Sequence, residues 1–140
     1  ILYIKMRIFF YLFILLFLNI TITLSAGELK INVTNIKINI GSIHYALYDD
    51  PSFFPDEEGK IDGGNKRIDE VVANGILIKE LNESYYAVAI YQDENNNDNC
   101  DKNFLGVPIE PYAFSNDIRP KLSAPSFKDC SELRSANPLI

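Results

Sequence analysis

Tyr85-Tyr86-Ala87-Val88-Ala89-Ile90-Tyr91-Gln92 is the run on which the fold turns. Its β-branched and aromatic residues suit a pleated, half-buried surface, and no Gly or Pro interrupts it. The turn Asn82-Glu83-Ser84 precedes it and an acidic, amide-rich loop follows, so it reads as one strand running into a loop. Upstream, Leu29, Ile31 and Val33 alternate with Lys30, Asn32 and Thr34, the period of a half-buried strand. Ile43 to Tyr48 repeats the pattern between Gly41-Ser42 and Asp49-Asp50-Pro51. Phe53 to Asn65 contains Pro55, Gly59, Gly63 and Gly64 and reads as a loop with room for a short extended piece. Val71-Val72 and Ile76-Leu77-Ile78 read as one broken strand or two short ones about Asn74-Gly75, a dipeptide favoured in tight hairpins.

Downstream, Gly106, Pro108, Pro111, Pro120 and Pro125 forbid a helix and interrupt any central strand. Phe104, Leu105, Val107, Ile109, Tyr112 and Phe114 lie in that segment and are expected to pack as an apolar flap along the sheet edge, ahead of a last strand or turn at Phe127 to Leu133. About seven short strands without helical periodicity predict an all-β chain, an antiparallel β-sandwich of immunoglobulin or prealbumin type.

Asp93-Glu94-Asn95-Asn96-Asn97-Asp98-Asn99-Cys100-Asp101 places oxygen-bearing side chains at alternate positions. A hard divalent cation takes six to eight oxygens, and a loop supplies them from side chains at its first, third and fifth places beside a carbonyl at the seventh. Asp93, Asn95 and Asn97 fill those places, Asn99 offers its carbonyl, and Asp101 closes a nine-residue ring. The expected ligand is calcium, held at about 10⁻⁴ to 10⁻³ M because only two of the five donors carry charge for certain. Position twelve is Phe104, which excludes a helix-loop-helix calcium hand. The rival reading is a solvated turn closed by its own hydrogen bonds.

Residues 1–26 read as a secretory signal peptide and 27–140 as one domain. Lys5 and Arg7 precede the unbroken apolar run Ile8–Leu18, and the small residues Ser25, Ala26 and Gly27 follow as a cleavage site. Met6 reads as the start. The expected location is secreted or periplasmic, with no stable membrane span after processing. Removing residues 1–26 takes away Lys5 and Arg7 and no acidic side chain, leaving 11 basic against 19 acidic groups. With Lys66-Arg67 the longest basic cluster, nucleic acid is excluded as a partner.

Cys100 and Cys130, in an oxidising compartment, are expected to form a disulfide tying the acidic loop to the C-terminal segment. His44 is the only histidine and lies in a strand, which removes nucleophile–histidine schemes and histidine-built zinc sites. The pairs Asp49-Asp50 and Glu57-Glu58 point to opposite faces if extended and make no acid–base couple. No catalytic residue is assigned, and enzymatic activity is not the favoured reading. Tyr112, Phe114 and Phe127, with Glu110, Asn116 and Arg119 near them in sequence, suit a shallow groove for a sugar ring or a peptide, against ordinary core packing.

Tyr86 to Asn95, Phe104 to Glu110, Phe114-Ser115-Asn116 and Pro125-Ser126-Phe127, in that order, resemble a family of small exported bacterial proteins catalogued as domain of unknown function 2141, DUF2141. The resemblance spans Leu29 to Leu133 and implies a secreted β-sandwich without an assigned activity. Where relatives usually carry Gly at the sixth place of the loop, this chain has Asp98. The expected protein is a monomeric, calcium-stabilised binding or structural module of the cell envelope, with an envelope protein or a glycan as partner. The alternative is a carbohydrate- or ester-directed hydrolase using acidic residues near the 104–116 flap.

Overall fold

A computed structural model describes residues 26–120 and 123–134. The expected signal peptide lies outside the described residues, apart from Ala26. Seven strands form two antiparallel sheets: β1 (Gly27–Ile31), β2 (Ser42–Tyr48), β3 (Asp62–Arg67), β4 (Ile76–Leu81), β5 (Ser84–Asp93), β6 (Tyr112–Phe114) and β7 (Glu132–Arg134). β1 pairs with β4, and the larger sheet runs β3-β2-β5-β6, with β7 added to β5. The ten-residue β5 is its axis, bonding β2 along Ala87 to Asp93, β6 along Ala89 to Tyr91 and β7 along Ser84 to Tyr86. Two short α-helices, α1 (Ile68–Asn74) and α2 (Phe127–Cys130), and two 3₁₀ turns, Glu57–Gly59 and Ser115–Asp117, complete the order among the described residues. Among the described residues no helix is long and apolar enough to cross a membrane.

One hydrophobic cluster is shared by both sheets. Leu29, Ile76, Ile78 and Leu81 of the small sheet meet Ile43, Leu47, Tyr86 and Val88 of the large one, with Ile68 and Val71 of α1 between. Alternation selects these residues: in β2, Ile43 and Leu47 face the cluster while His44 and Ala46 stand on the other side. Burying such a Leu or Ile contributes about 1.5–3 kcal/mol, so this cluster fixes the register that places every residue discussed below.

Three expectations are corrected. Asp62–Arg67 is a full strand, where a loop with a short extended piece was expected; it lacks apolar side chains but bonds β2 residue for residue along the sheet edge. Val71-Val72 is helical, with Ile68 and Val71 three apart on the buried face and Val72 exposed. The helix ends at Gly75, whose φ of 70° and N–H bond to Val71 O make it a C-terminal cap instead of a hairpin turn.

The expected flap is the third. Lys102 and Pro108 form an isolated bridge, and Asn103 Oδ1 accepts from Leu105 N and Val107 N, so residues 102–108 make a tight hairpin of their own. Backbone bonding within the hairpin leaves its tip outside the core, with Phe104 95% and Leu105 72% exposed.

Candidate functional site

The acidic loop folds back on Asp93. Asp93 ends β5 opposite Ser42, and its side chain is fully buried. Asp93 Oδ1 accepts from Asn97 N at 3.2 Å and Oδ2 from Asp98 N at 2.8 Å. Burial by itself raises the Asp93 carboxyl; the N–H groups of Asp98, Asn97 and Asn96, with His44 nearby, outweigh it and hold the pKa below the ordinary carboxylate value. Asn95 Oδ1 accepts from Asn97 N, and Asn97 Oδ1 from Asn99 N. The side-chain amides of Asn95 and Asn97 turn to Asp101, donating to its two oxygens at 2.7 and 3.0 Å. Asn96 and Asp98 take positive φ, 57° and 60°, the left-handed region that Asn and Asp tolerate better than other side chains.

Of the five expected cation donors, Asn95, Asn97 and Asp101 are thus brought together above a buried Asp93, and the Asn99 side chain is turned to Asn97 O. This chain of side-chain-to-backbone bonds is the internal order of a cation loop, and also that of a self-bonded turn. The donor set, two carboxylates and two amide oxygens with a carbonyl at the seventh place, suits a hard cation.

Glu110 was expected in a ligand groove; the structure places it beneath the loop. It is 7% exposed, and its two oxygens accept from Glu94 N and Asp101 N, both at 3.0 Å. One carboxylate therefore joins the two ends of the loop, and each of its oxygens is engaged by backbone. Glu110→Gln replaces one acceptor with an NH₂ facing an N–H, and urea denaturation is expected to read a loss of about 2 kcal/mol. Unchanged stability would mean that this strap holds nothing.

Behind the loop, on the face of the large sheet opposite the core, directly paired residues form cross-strand rows. One row is Asn65, His44, Tyr91 and Tyr112; the next is Gly63, Ala46, Ala89 and Phe114; a third holds Tyr48 and Ala87. The middle row is small as far as Ala89 and forms a floor, with the larger side chains rising on both sides. His44 stacks on Tyr91 with ring centroids 4.6 Å apart. On the far side Phe54 packs edge-on to Tyr48, Phe114 and Phe127. The result is an open trough of about 970 Å³, at one end of which the loop contributes Asp98, Asn99 and Cys100. Burial, then the charge of Asp93, pushes the Tyr91 phenol up to about 12, so the ring is neutral at physiological pH.

Tyr112 and Phe114 line this trough. Asn116 instead ties its turn to Asp129 O and Ser131 O, and Arg119 is exposed beside Asp117. The expected disulfide is absent: both cysteines are free. Ser115 Oγ donates to Cys130 O and accepts from Val88 N, which places Cys130 by the middle of β5. Burial, then Glu110, raises the Cys100 thiol, and burial with Asp129 raises Cys130, so neither is an activated nucleophile.

His44 and Ala46 with Ala89 are the trough residues that the sequence did not reveal. Their parity along two strands was available as a signal, but their meeting depends on a pairing between distant segments.

No curated protein and no solved structure matches the chain. One family model does, over residues 31–137, and its description is "Uncharacterized protein conserved in bacteria (DUF2141)". That span takes in the core, the acidic loop and both walls of the trough, and on it the chain belongs to the DUF2141 family.

Proposed function

We propose that the protein is an exported binding module of the cell envelope, stabilised by calcium, which holds a ring-shaped ligand such as a sugar in the trough. The observation that carries this reading is the cross-strand pair Ala46-Ala89, a floor of small residues between walls of aromatic rings at the foot of an acidic loop. Flat ligands stack on such rings, and a floor without long side chains leaves room for them. The core shared by two antiparallel sheets supports a β-sandwich of immunoglobulin or prealbumin type. The basic, apolar and small-residue order of residues 5–27 supports export, to the periplasm or beyond. Binding is favoured over hydrolysis because Glu110, the one carboxylate of the 104–116 flap, is taken up by backbone N–H groups.

In this account calcium enters between Asp93, Asn95, Asn97 and Asp101 as the two amides turn their oxygens inward. The loop so fixed holds its end of the trough. Thermal melting with about 10 mM calcium against chelator tests the first half: at the expected affinity the metal adds about 1.4–2.7 kcal/mol, a rise of several degrees. Saturation-transfer NMR with a panel of mono- and disaccharides tests the second. Signals that vanish in Ala89→Phe support the trough; identical melts and no saccharide signal would leave a plain structural scaffold.

A further inference from the structure

The register of β2 against β5 brings a third ligand type to the acidic loop. His44 Nε2 lies 3.4 Å from Asp93 Oδ2 and 3.6 Å from Asp98 Oδ1, and all three atoms lie within 4.8 Å of one another. Nε2 is buried and has no hydrogen-bond partner, although two carboxylate oxygens are near. Stacking on Tyr91 fixes the ring plane, and the backbone N–H of Asp98 fixes Asp93 Oδ2. Asn65 Nδ2 donates to Asp98 Oδ1 at 3.3 Å and steadies that carboxylate from the neighbouring strand. Three electron-pair donors therefore stand together, within 4.8 Å of one another. In a tetrahedral site with bonds of about 2.0–2.1 Å, neighbouring ligand atoms lie about 3.3 Å apart, close to the 3.4 and 3.6 Å from His44 Nε2 to the two carboxylate oxygens.

We propose that His44, Asp93 and Asp98 bind a divalent d-block cation of the zinc class. The imidazole sets the selectivity, since a calcium site is built from oxygen donors, whereas zinc combines nitrogen and carboxylate ligands. Three protein ligands leave a fourth position open, and His44 and Asp98 both line the trough, so that position faces the bound ligand. An oxygen of that ligand, a hydroxyl or a carboxylate, completes the coordination sphere. The site takes Asp93 and Asp98 from the acidic loop but shares only Asp93 with the calcium donors, and does not require calcium to bind there; it rests on the trough reading only for what occupies the fourth position.

The test uses untagged protein, stripped with chelator and titrated with Co²⁺, whose visible absorption is intense in a four-coordinate site and weak in an octahedral one. One saturable equivalent with an intense band, displaced by Zn²⁺, is the expected result. His44→Gln and Asp98→Asn should each weaken binding by at least about tenfold, since even outer-shell partners of a metal carry that much. Asp98 is 76% exposed, so its variant folds even if the histidine variant does not. Asp101→Asn removes a calcium-loop donor and should leave the cobalt titration unchanged while reducing the calcium-induced rise in melting temperature. An absent or octahedral-type band, or binding that is equal in wild type, His44→Gln and Asp98→Asn, would overturn the site; loss of the calcium effect alone would not.

Discussion

Asp93→Ala is expected to lower the stability of the protein by about 2–4 kcal/mol, the largest effect of any polar substitution in the loop. Two backbone N–H groups, those of Asn97 and Asp98, end on this fully buried carboxylate. Removing it leaves Asp98 N without its partner and Asn97 N with only its bond to Asn95 Oδ1, and a hydrogen bond to a charged acceptor is worth about 1.5–3 kcal/mol. Asp101→Ala loses two bonds to exposed amides and should cost about 1 kcal/mol. Equal losses in the two variants, read from denaturant midpoints, would show that the loop does not hang from Asp93.

The same carboxylate sets an acid limit. Its folded pKa lies below the ordinary carboxyl value of 3.8, so its contribution is fully present above that value and is lost as pH falls through the depressed one. Wild type should therefore destabilise steeply below about pH 4, and Asp93→Asn should lack that component.

Gly41→Ala is expected to cost roughly 2–4 kcal/mol. Gly41 has a φ of 77°, and a Cβ there would stand 1.9 Å from Asp93 O and 2.8 Å from Asp93 C. Both are backbone atoms, so relief requires parting β2 from the end of β5, an overpacking strain added to the cost of a left-handed alanine. Gly106 is a built-in control, since its φ is 78° and nothing lies within 4 Å of a Cβ there. Gly106→Ala should cost about 1 kcal/mol; if both variants lose the same, the close approach at Gly41 is immaterial.

Strands carried by alternating or β-branched residues were legible because burial on one face writes the period into the sequence: Ile43 and Leu47 in β2, Tyr86 and Val88 in β5. β3 was not, because Asp62-Gly63-Gly64-Asn65-Lys66-Arg67 owes its extension to β2 and has the composition of a turn. α1 was misread because Val71 and Val72 favour strands, while the spacing from Ile68 to Val71, which is the helical one, amounts to a single interval.

The acidic loop was legible as a donor pattern, since that pattern is local. Glu110 and His44 were not, because what each touches depends on partners that only the folded sheet brings near. Phe104 and Leu105 show the converse limit: apolar composition suggested packing, yet the bonds around Asn103 turn the hairpin outward.

The account rests on a cation entering the loop between Asp93 and Asp101. A calcium titration followed by ¹H–¹⁵N correlation spectra reads this directly, through the backbone amides of Asn97 and Asp98 and the side-chain amides of Asn95 and Asn97. The account predicts saturable shifts confined to these groups and their neighbours, with half-saturation at about 10⁻⁴ to 10⁻³ M. Spectra that do not move up to about 10 mM calcium, ten times the weaker of those values, would contradict it.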